Sequence, residues 1–355
     1  MKLIRSLAAR TFVSKIFEAI GSLPEEAGII ADHLVESNLV GHESHGLIRV
    51  KKYVDWCRNG DVHPNRHAEI ASDHGMAFLI DGQFGYGQVI GLEAMDLLRS
   101  RVREKGFAAV LIRNSAHLGR IGAWPEYLAK SGLVSVHFVN TSGYGILVAP
   151  HGGSDRRLSA NPIAAGAPNE SGAPLVLDIA TAAIAEGKIQ VMRNRGERLP
   201  NDTVVDGKGR PTTDPEAFYS DPPGAIFPFG GHKGSGLSFF CELMAGSLSG
   251  GYASNPGSPT ASHLVNNMTS IAFDPAAFGG VDFFRQDVAA FVAWIKGSPP
   301  LNEGGEVLLP GEIEARRRSE RLRNGLPIDT ATYTQLAAAA HSVGVEVGDY
   351  IEELQ

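Results

Sequence analysis

The run Gly41-His42-Glu43-Ser44-His45-Gly46-Leu47-Ile48-Arg49 sets an imidazole, a hydroxyl and a guanidinium within about one and a half helical turns. Imidazole exchanges a proton near neutral pH, and guanidinium grips a planar carboxylate with a two-pronged fork. That combination suits chemistry at a carbon beside a carboxylate. A further imidazole stands in Asn114-Ser115-Ala116-His117-Leu118-Gly119, just past the apolar run Ala108–Ile112. Reactive side chains gather at strand ends in α/β domains, which makes His117 a candidate acid or base; a buried, hydrogen-bonded histidine fits the pattern equally. Asp178 closes Leu175-Val176-Leu177, where it could orient an imidazole or cap a helix expected over Thr181–Met192. His137 lies inside the strand expected over Leu133–Val139, where packing explains it better.

Metal binding is weakly encoded. His42 and His45 stand three apart and His63 and His67 four apart, but HExxH is absent because only Ser44 separates Glu43 from His45. No metal site is expected. The strict GxGxxG dinucleotide fingerprint is also missing. Its nearest approach, Gly85-Tyr86-Gly87-Gln88-Val89-Ile90-Gly91, is held off the strand Met76–Ile80 by Asp81-Gly82-Gln83-Phe84, and the next strand ends in Arg113 instead of an acid. An ordinary glycine-rich connection is the better reading. Gly230-Gly231-His232-Lys233-Gly234-Ser235-Gly236 could cradle a phosphate at a helix start, although the order around Lys233 is not that of a Walker A loop.

These residues need a scaffold. Residues 5–60 read as helical, with Ser22 and Glu25 spaced as a capping box before Ile29, Ile30, Leu34 and Leu39. From residue 68 short strand-like runs alternate with helical stretches such as Ile90–Lys105 and Trp124–Lys130. Residues 194–230 are proline-rich and read as loop. A helix is expected over Gly236–Ser249, a strand over Thr269–Phe273, a helix over Phe283–Ile295, and a helical tail from Glu312 onward. Helical ends around an α/β middle predict one helical domain from residues 1–70 with 300–355, and a second domain over 71–299. A chain of 355 residues is long enough for two domains.

Composition narrows the partners. The chain is 43% hydrophobic and 20% charged with a net charge of −7, which disfavours nucleic acid and anionic membrane surfaces. Cys57 and Cys241 form no disulfide framework or CxxC site. Lys2, Arg5, Arg10, Lys15 and Glu18 interrupt the N-terminal apolar residues, and no run of 18 apolar residues occurs, so a cytoplasmic location is expected.

Taken in order, six segments resemble the type 2 malate/L-lactate dehydrogenase family. They are Gly41-His42-Glu43-Ser44-His45-Gly46, Asn114-Ser115-Ala116-His117, Ser159-Ala160-Asn161-Pro162, Leu177-Asp178-Ile179-Ala180-Thr181, Gly231-His232-Lys233-Gly234 and Leu309-Pro310-Gly311-Glu312. The family includes ureidoglycolate, sulfolactate and diketogulonate dehydrogenases or reductases and the reductases of cyclic imino acids. His117-Leu118-Gly119-Arg120-Ile121-Gly122 and the stretch from Cys241-Glu242 to Gly250-Gly251 look most like the hydroxycarboxylate dehydrogenase B branch.

The resemblance implies an α/β fold of α+β type. Its NAD(P)-binding domain is unrelated to the Rossmann domain and carries a mixed, largely antiparallel sheet, beside a helical domain made from both termini. It implies a homodimer with active sites near the interface, and NAD or NADP as cofactor, with NAD favoured. Carried over by position, His45 and His117 face the substrate carbon and Arg49 anchors its carboxylate. The proton acceptor is His117 in one version, and in another a relay matching Ser44, His45 and Asp178. Asp178, Ile179, Ala180, Thr181, Lys233, Pro310, Gly311 and Glu312 match cofactor-contacting stretches, and Thr141 falls where members touch substrate. The implied reaction is hydride transfer between nicotinamide and C2 of a small 2-hydroxy or 2-oxo acid. Reduction of cyclic imino acids is the nearest alternative. A metal-dependent hydrolase built on His42 and His45, and a non-catalytic binding module, are remoter ones. Arg193 and Arg195 could meet a 2′-phosphate or simply be solvated.

Overall fold

Apolar residues at helical spacing build the N-terminal part of the molecule. Phe12, Val13, Ile16 and Phe17 line the inner face of α1 (Ser6–Ala19), and Ile30, Leu34 and Val35 that of α2 (Pro24–Leu39). α3 (Arg49–Asn59) adds Val50, Tyr53 and Val54 to the same core. The other chain end completes it, through Leu336, Ala339 and Ala340 of α11 (Thr330–His341) and an antiparallel ribbon of β1 (Lys2–Ile4) on β12 (Leu326–Ile328). The coordinates are a computed structural model describing residues 2–143, 145–170, 172–260 and 264–350; the last residues of the expected helical tail, 351–355, lie outside the described residues. The capping box does not form. Leu23 occupies the cap position of α2, and the Ser22 hydroxyl donates to Glu26 at 2.6 Å instead.

The middle of the chain forms a seven-stranded sheet. Its order is β2 (Glu69–Asp73), β3 (Ala77–Asp81), β4 (Phe107–Ser115), β11 (Leu264–Phe273), β5 (Val134–Gly143), β6 (Ile163–Ala167) and β7 (Leu175–Ile179). Only β3 and β4 run parallel, joined through α4 (Gly87–Lys105), and every other neighbouring pair is antiparallel. The fold is thus α/β with a mixed, largely antiparallel sheet, as expected. α4 and α5 (Ala123–Lys130) pack Ile90, Leu98, Trp124 and Leu128 onto Val110, Ile112 and Met268. α8 (His232–Cys241) continues into a π-helical stretch, Glu242–Ser247, that contacts β5 and β11.

A third apolar cluster lies in residues 148–226. It joins α6 (Glu186–Arg195) and α7 (Glu216–Tyr219) to a small sheet in which β8 (Val204–Val205) sits between β10 (Ala225–Ile226) and β9 (Pro211–Thr212). Proline density over 194–230 hid these strands from the sequence reading. The helix expected over Thr181–Met192 begins only at Glu186 with Ala185 at its cap, so Asp178 does not cap it. Beyond β11 come α9 (Val281–Lys296) and α10 (Glu312–Asn324); α10 crosses α2 and ties it down through Arg318 to Glu36.

Candidate active site

The opening motif does not form one helix. Glu43–His45 is a 3-10 turn, and α3 starts at Arg49. Gly46 makes the break possible, because a Cβ there would overlap the Asn38 side chain, whose Oδ1 accepts the Leu47 N–H at 2.7 Å. His45 therefore sits on a turn of its own, braced by Arg321 on Glu43 at 2.6 Å. His117 follows β4 directly. A left-handed Asn114 (φ 54°) and a β-bulge in β4, where Arg113 and Asn114 oppose Asn267 of β11, turn the chain out of the sheet there, and the Asn266 side chain accepts the Leu118 N–H at 2.9 Å.

These two turns bring the imidazoles of His45 and His117 face to face, with ring centroids 5.4 Å apart and planes 6° apart. Across 64 residues of sequence, Tyr53 reaches His117 Nδ1 at 2.6 Å, and Gln88 donates to the Tyr53 oxygen at 2.9 Å and to the His117 carbonyl at 3.2 Å. The N-terminus of α4 approaches so closely that a Cβ at Gly87 would overlap the His117 carbonyl. The glycine-rich run Gly85–Gly91 thus serves packing against the histidine. Arg49, at the start of α3, donates through Nε to the Ser44 carbonyl at 2.6 Å, and no bond to its terminal nitrogens occurs among the described residues.

Burial and surrounding charge keep both imidazoles neutral. Desolvation, then the Arg49 guanidinium, holds His45 well below the ordinary histidine value, and the same two causes act on His117. His45 Nδ1 is buried without a partner among the described residues. The Ser44–His45–Asp178 relay is not joined by hydrogen bonds: Asp178 accepts the Gly122 N–H at 2.8 Å. The spaced pair His42 and His45 diverges, since His42 Nε2 lies 3.3 Å from Glu314. Among the described residues, no group of three or more His, Cys, Asp or Glu side chains is placed to hold a metal ion.

The remaining candidates gather along the free edge of β7. The Pro310 carbonyl accepts the Val176 N–H at 3.2 Å, and Gly311 takes φ 90° with its Cα against Pro174 and Val176, where a side chain would crowd the backbone. Asp178 and Ile179 close the strand and Ala180 follows it. Thr181 is buried, bonded through N and Oγ1 to Ala160 at 2.8 and 2.9 Å, while its carbonyl receives the Phe229 N–H at 3.0 Å. That loop leads into α8, where Gly230 and Gly231 take positive φ (56° and 63°) just before Lys233. Glu312 receives the Leu309 N–H and the Lys296 ammonium, and a cavity of about 260 Å³ opens there between Leu175, Val292, Lys296, Pro310 and Arg316. Between this cavity and the start of α8, whose N–H groups no side chain caps, the β7 edge is a candidate track for an extended, phosphate-bearing dinucleotide. A larger cavity of about 530 Å³ around Arg103, Phe284 and Arg285 contains none of the candidate residues.

Thr141 lies on β5, its Oγ1 accepting from Asn266 at 3.0 Å. Behind it the buried Glu242 carboxylate receives Asn140 at 2.8 Å, Asn161 at 2.7 Å and the Ser254 N–H at 2.9 Å. The sequence reading missed Tyr53, Gln88, Asn266 and Glu242 as parts of the site. The one signal available was for Tyr53, one helical turn beyond Arg49.

Residues 4–337 match the model of the malate/L-lactate dehydrogenase family. Hydroxycarboxylate dehydrogenase B of Escherichia coli K12 is 39% identical over 339 residues, covering 94% of this chain and 92% of that protein. The solved sulfolactate dehydrogenase of Methanocaldococcus jannaschii superposes with a TM-score of 0.89 at 32% identity, covering 99% of each chain. The Δ1-piperideine-2-carboxylate reductase of Pseudomonas syringae pv. tomato gives 0.84 at 31% identity, covering 96% of this chain and 100% of that one.

Proposed function

The chain belongs to the malate/L-lactate dehydrogenase family, and from that premise we propose that it reduces small 2-oxo acids to 2-hydroxy acids, reversibly, with a nicotinamide cofactor. The observation that carries this reading is the stacked His45–His117 pair beside Arg49. The cofactor supplies or takes up the hydride at C2. Asp178, Ile179, Ala180 and Thr181, Lys233 at the start of α8, and Pro310, Gly311 and Glu312 would hold it along the β7 edge. Arg49 grips the substrate carboxylate with its terminal nitrogens, fixing C2 between the imidazoles and the track. Thr141 lines the substrate side. His117, the more enclosed and better buttressed imidazole, faces the reacting oxygen, and a positioned acid or base of this kind contributes about 10²–10⁴-fold.

NAD is the favoured cofactor. The two arginines that could meet a 2′-phosphate are occupied, Arg193 by Glu216 at 2.8 Å and Arg195 by Glu197 at 3.8 Å. The exposed apolar run of Phe239, Phe240, Leu243 and Leu248 supports a homodimer, with the π-helical stretch near its interface. No helix of the described residues is long and apolar enough to cross a membrane. The shared core of the two chain ends supports the division into a helical domain of residues 1–70 with 300–355 and an α/β domain of 71–299.

A panel separates this reading from imine reduction. Oxidation of NADH and of NADPH is followed with pyruvate, oxaloacetate, 2-oxoglutarate and phenylpyruvate, each with and without methylamine. Turnover without amine is expected. Turnover that requires the amine, or that occurs only with piperideine-2-carboxylate, would replace the 2-oxo acid reading with the imino acid one.

A further inference from the structure

Gln88, Tyr53 and His117 form a buried chain of hydrogen bonds whose polarity can be read from one end. The Gln88 Nε2 faces two oxygens, the His117 carbonyl at 3.2 Å and the Tyr53 hydroxyl at 2.9 Å. A carbonyl oxygen only accepts, so the amide nitrogen must stand there; turning the amide over would set its oxygen against the carbonyl. Gln88 Oε1 has no partner among the described residues, so nothing on its other side competes for this orientation. The Tyr53 oxygen therefore receives an N–H from Gln88, and its own hydrogen goes to His117 Nδ1 at 2.6 Å. Tyr53 keeps that hydrogen, since burial pushes the phenol up to about 12. A neutral imidazole that accepts at Nδ1 carries its hydrogen on Nε2.

We infer that Tyr53 and Gln88 are positioning residues that hold His117 as its Nε2–H tautomer in the resting enzyme, so that the ring meets the substrate oxygen as a donor. This rests on His117 facing the reacting oxygen, as proposed above. It assigns the resting state to reduction, because a 2-oxo oxygen can only accept. When hydride arrives at C2, the carbonyl π pair moves onto oxygen and the Nε2–H proton follows it. The Tyr53 hydrogen moves to Nδ1, leaving a neutral imidazole of the other tautomer. The phenolate oxygen, facing two donors in Nδ1–H and the Gln88 N–H, then takes the Nδ1 hydrogen back while Nε2 takes a proton from water on the substrate side, which restores the resting tautomer. One hydride and one proton are consumed, and the imidazole is never required as a cation.

The charged and titratable groups facing His117 are Arg49 and Lys52 of α3, His45 of the 3-10 turn and His33 of α2; Arg49, His45, His33 and Lys52 all disfavour a charged ring. The rate of reduction should accordingly stay level between pH 6 and 8.5, where an imidazolium acid would lose about tenfold per unit above its pKa.

The direct test is nitrogen NMR of protein labelled with ¹⁵N-histidine, with the His117 signals identified by their loss in His117→Gln. His117 should be protonated on Nε2 in the wild type at pH 7.5. In Gln88→Glu the new carboxylate takes the Tyr53 hydrogen, the Tyr53 oxygen then accepts from Nδ1–H, and protonation should move to Nδ1. Tyr53→Phe should lower kcat by about 10²-fold while KM and the dissociation constant of NADH, read by fluorescence, stay unchanged. A wild-type ring protonated on Nδ1 overturns the inference, whatever the variants do. The tautomer is read without turnover, so an enzyme that reduced no 2-oxo acid would count against the functional reading alone.

Discussion

Arg49 stands where two demands meet. Its Nε braces the turn that carries His45, and its charge adds to desolvation in keeping both imidazoles neutral. If its terminal nitrogens also hold the substrate carboxylate, Arg49→Lys keeps the charge and loses the fork. A hydrogen bond to a charged group is worth about 1.5–3 kcal/mol, so kcat/KM for 2-oxo acids should fall by roughly 10- to 100-fold. An aldehyde lacking the carboxylate should be reduced equally slowly by both forms. Equal kcat/KM for 2-oxo acids in the two enzymes would remove Arg49 from this role. His45, Arg49 and His117 were legible because their side chains are reactive types beside turn-forming glycines. Tyr53 and Gln88 were not, since a phenol on an apolar helix face and an amide at a helix start are ordinary there. Their meaning comes from a contact across 64 residues with His117.

Elements were legible where one hydrophobic period ran unbroken, as in α1, α2, α4 and α9. They were misread where local chemistry conflicts with packing. The 41–49 segment looked like one helix, yet Gly46 under Asn38 and the tie from Arg321 to Glu43 split it into a turn and α3. That split points His45 at His117, where a continuous helix would have carried it one turn below Arg49. β6, an Ile-Ala-Ala-Gly-Ala strand, has little strand propensity; small residues are needed because Gly166 packs against the Pro125 backbone. The expected helix over Gly236–Ser249 conceals a change of pitch at Glu242, which places that carboxylate under Asn140 and Asn161. Period alone cannot announce such a change, because the side chains on either side remain apolar.

Over the whole molecule, the sheet type was legible through the sequence resemblance alone, and the helical runs at both chain ends supply the apolar faces that share one core. The meeting of the two cores at the site was not legible: Tyr86, Val89 and Ala116, from the sheet region, belong to the helical core, and His117 lies beside them. This buried construction has a pH signature. His33 and His137 are pushed down to about 3 by desolvation, against about 6.5 in an unfolded chain. Protonation therefore favours unfolding: stability should be level above about pH 6.5 and fall below it, each imidazole contributing up to about 1.4 kcal/mol per pH unit until the folded form itself takes up the proton near pH 3. Urea denaturation between pH 7.5 and 4.5 checks this. His137→Gln should flatten the slope by about one proton, and an unchanged slope would contradict the buried neutral state.

The claim on which the rest depends is direct hydride transfer to C2. The cofactor that the panel finds to be oxidised is prepared with deuterium in the transferable position at C4 of its dihydronicotinamide and reacted with a 2-oxo acid, and the product is read by NMR. One deuterium at C2 of the 2-hydroxy acid, with a single configuration, is the predicted result. A product carrying only solvent hydrogen at C2, or no 2-hydroxy acid at all, would contradict it.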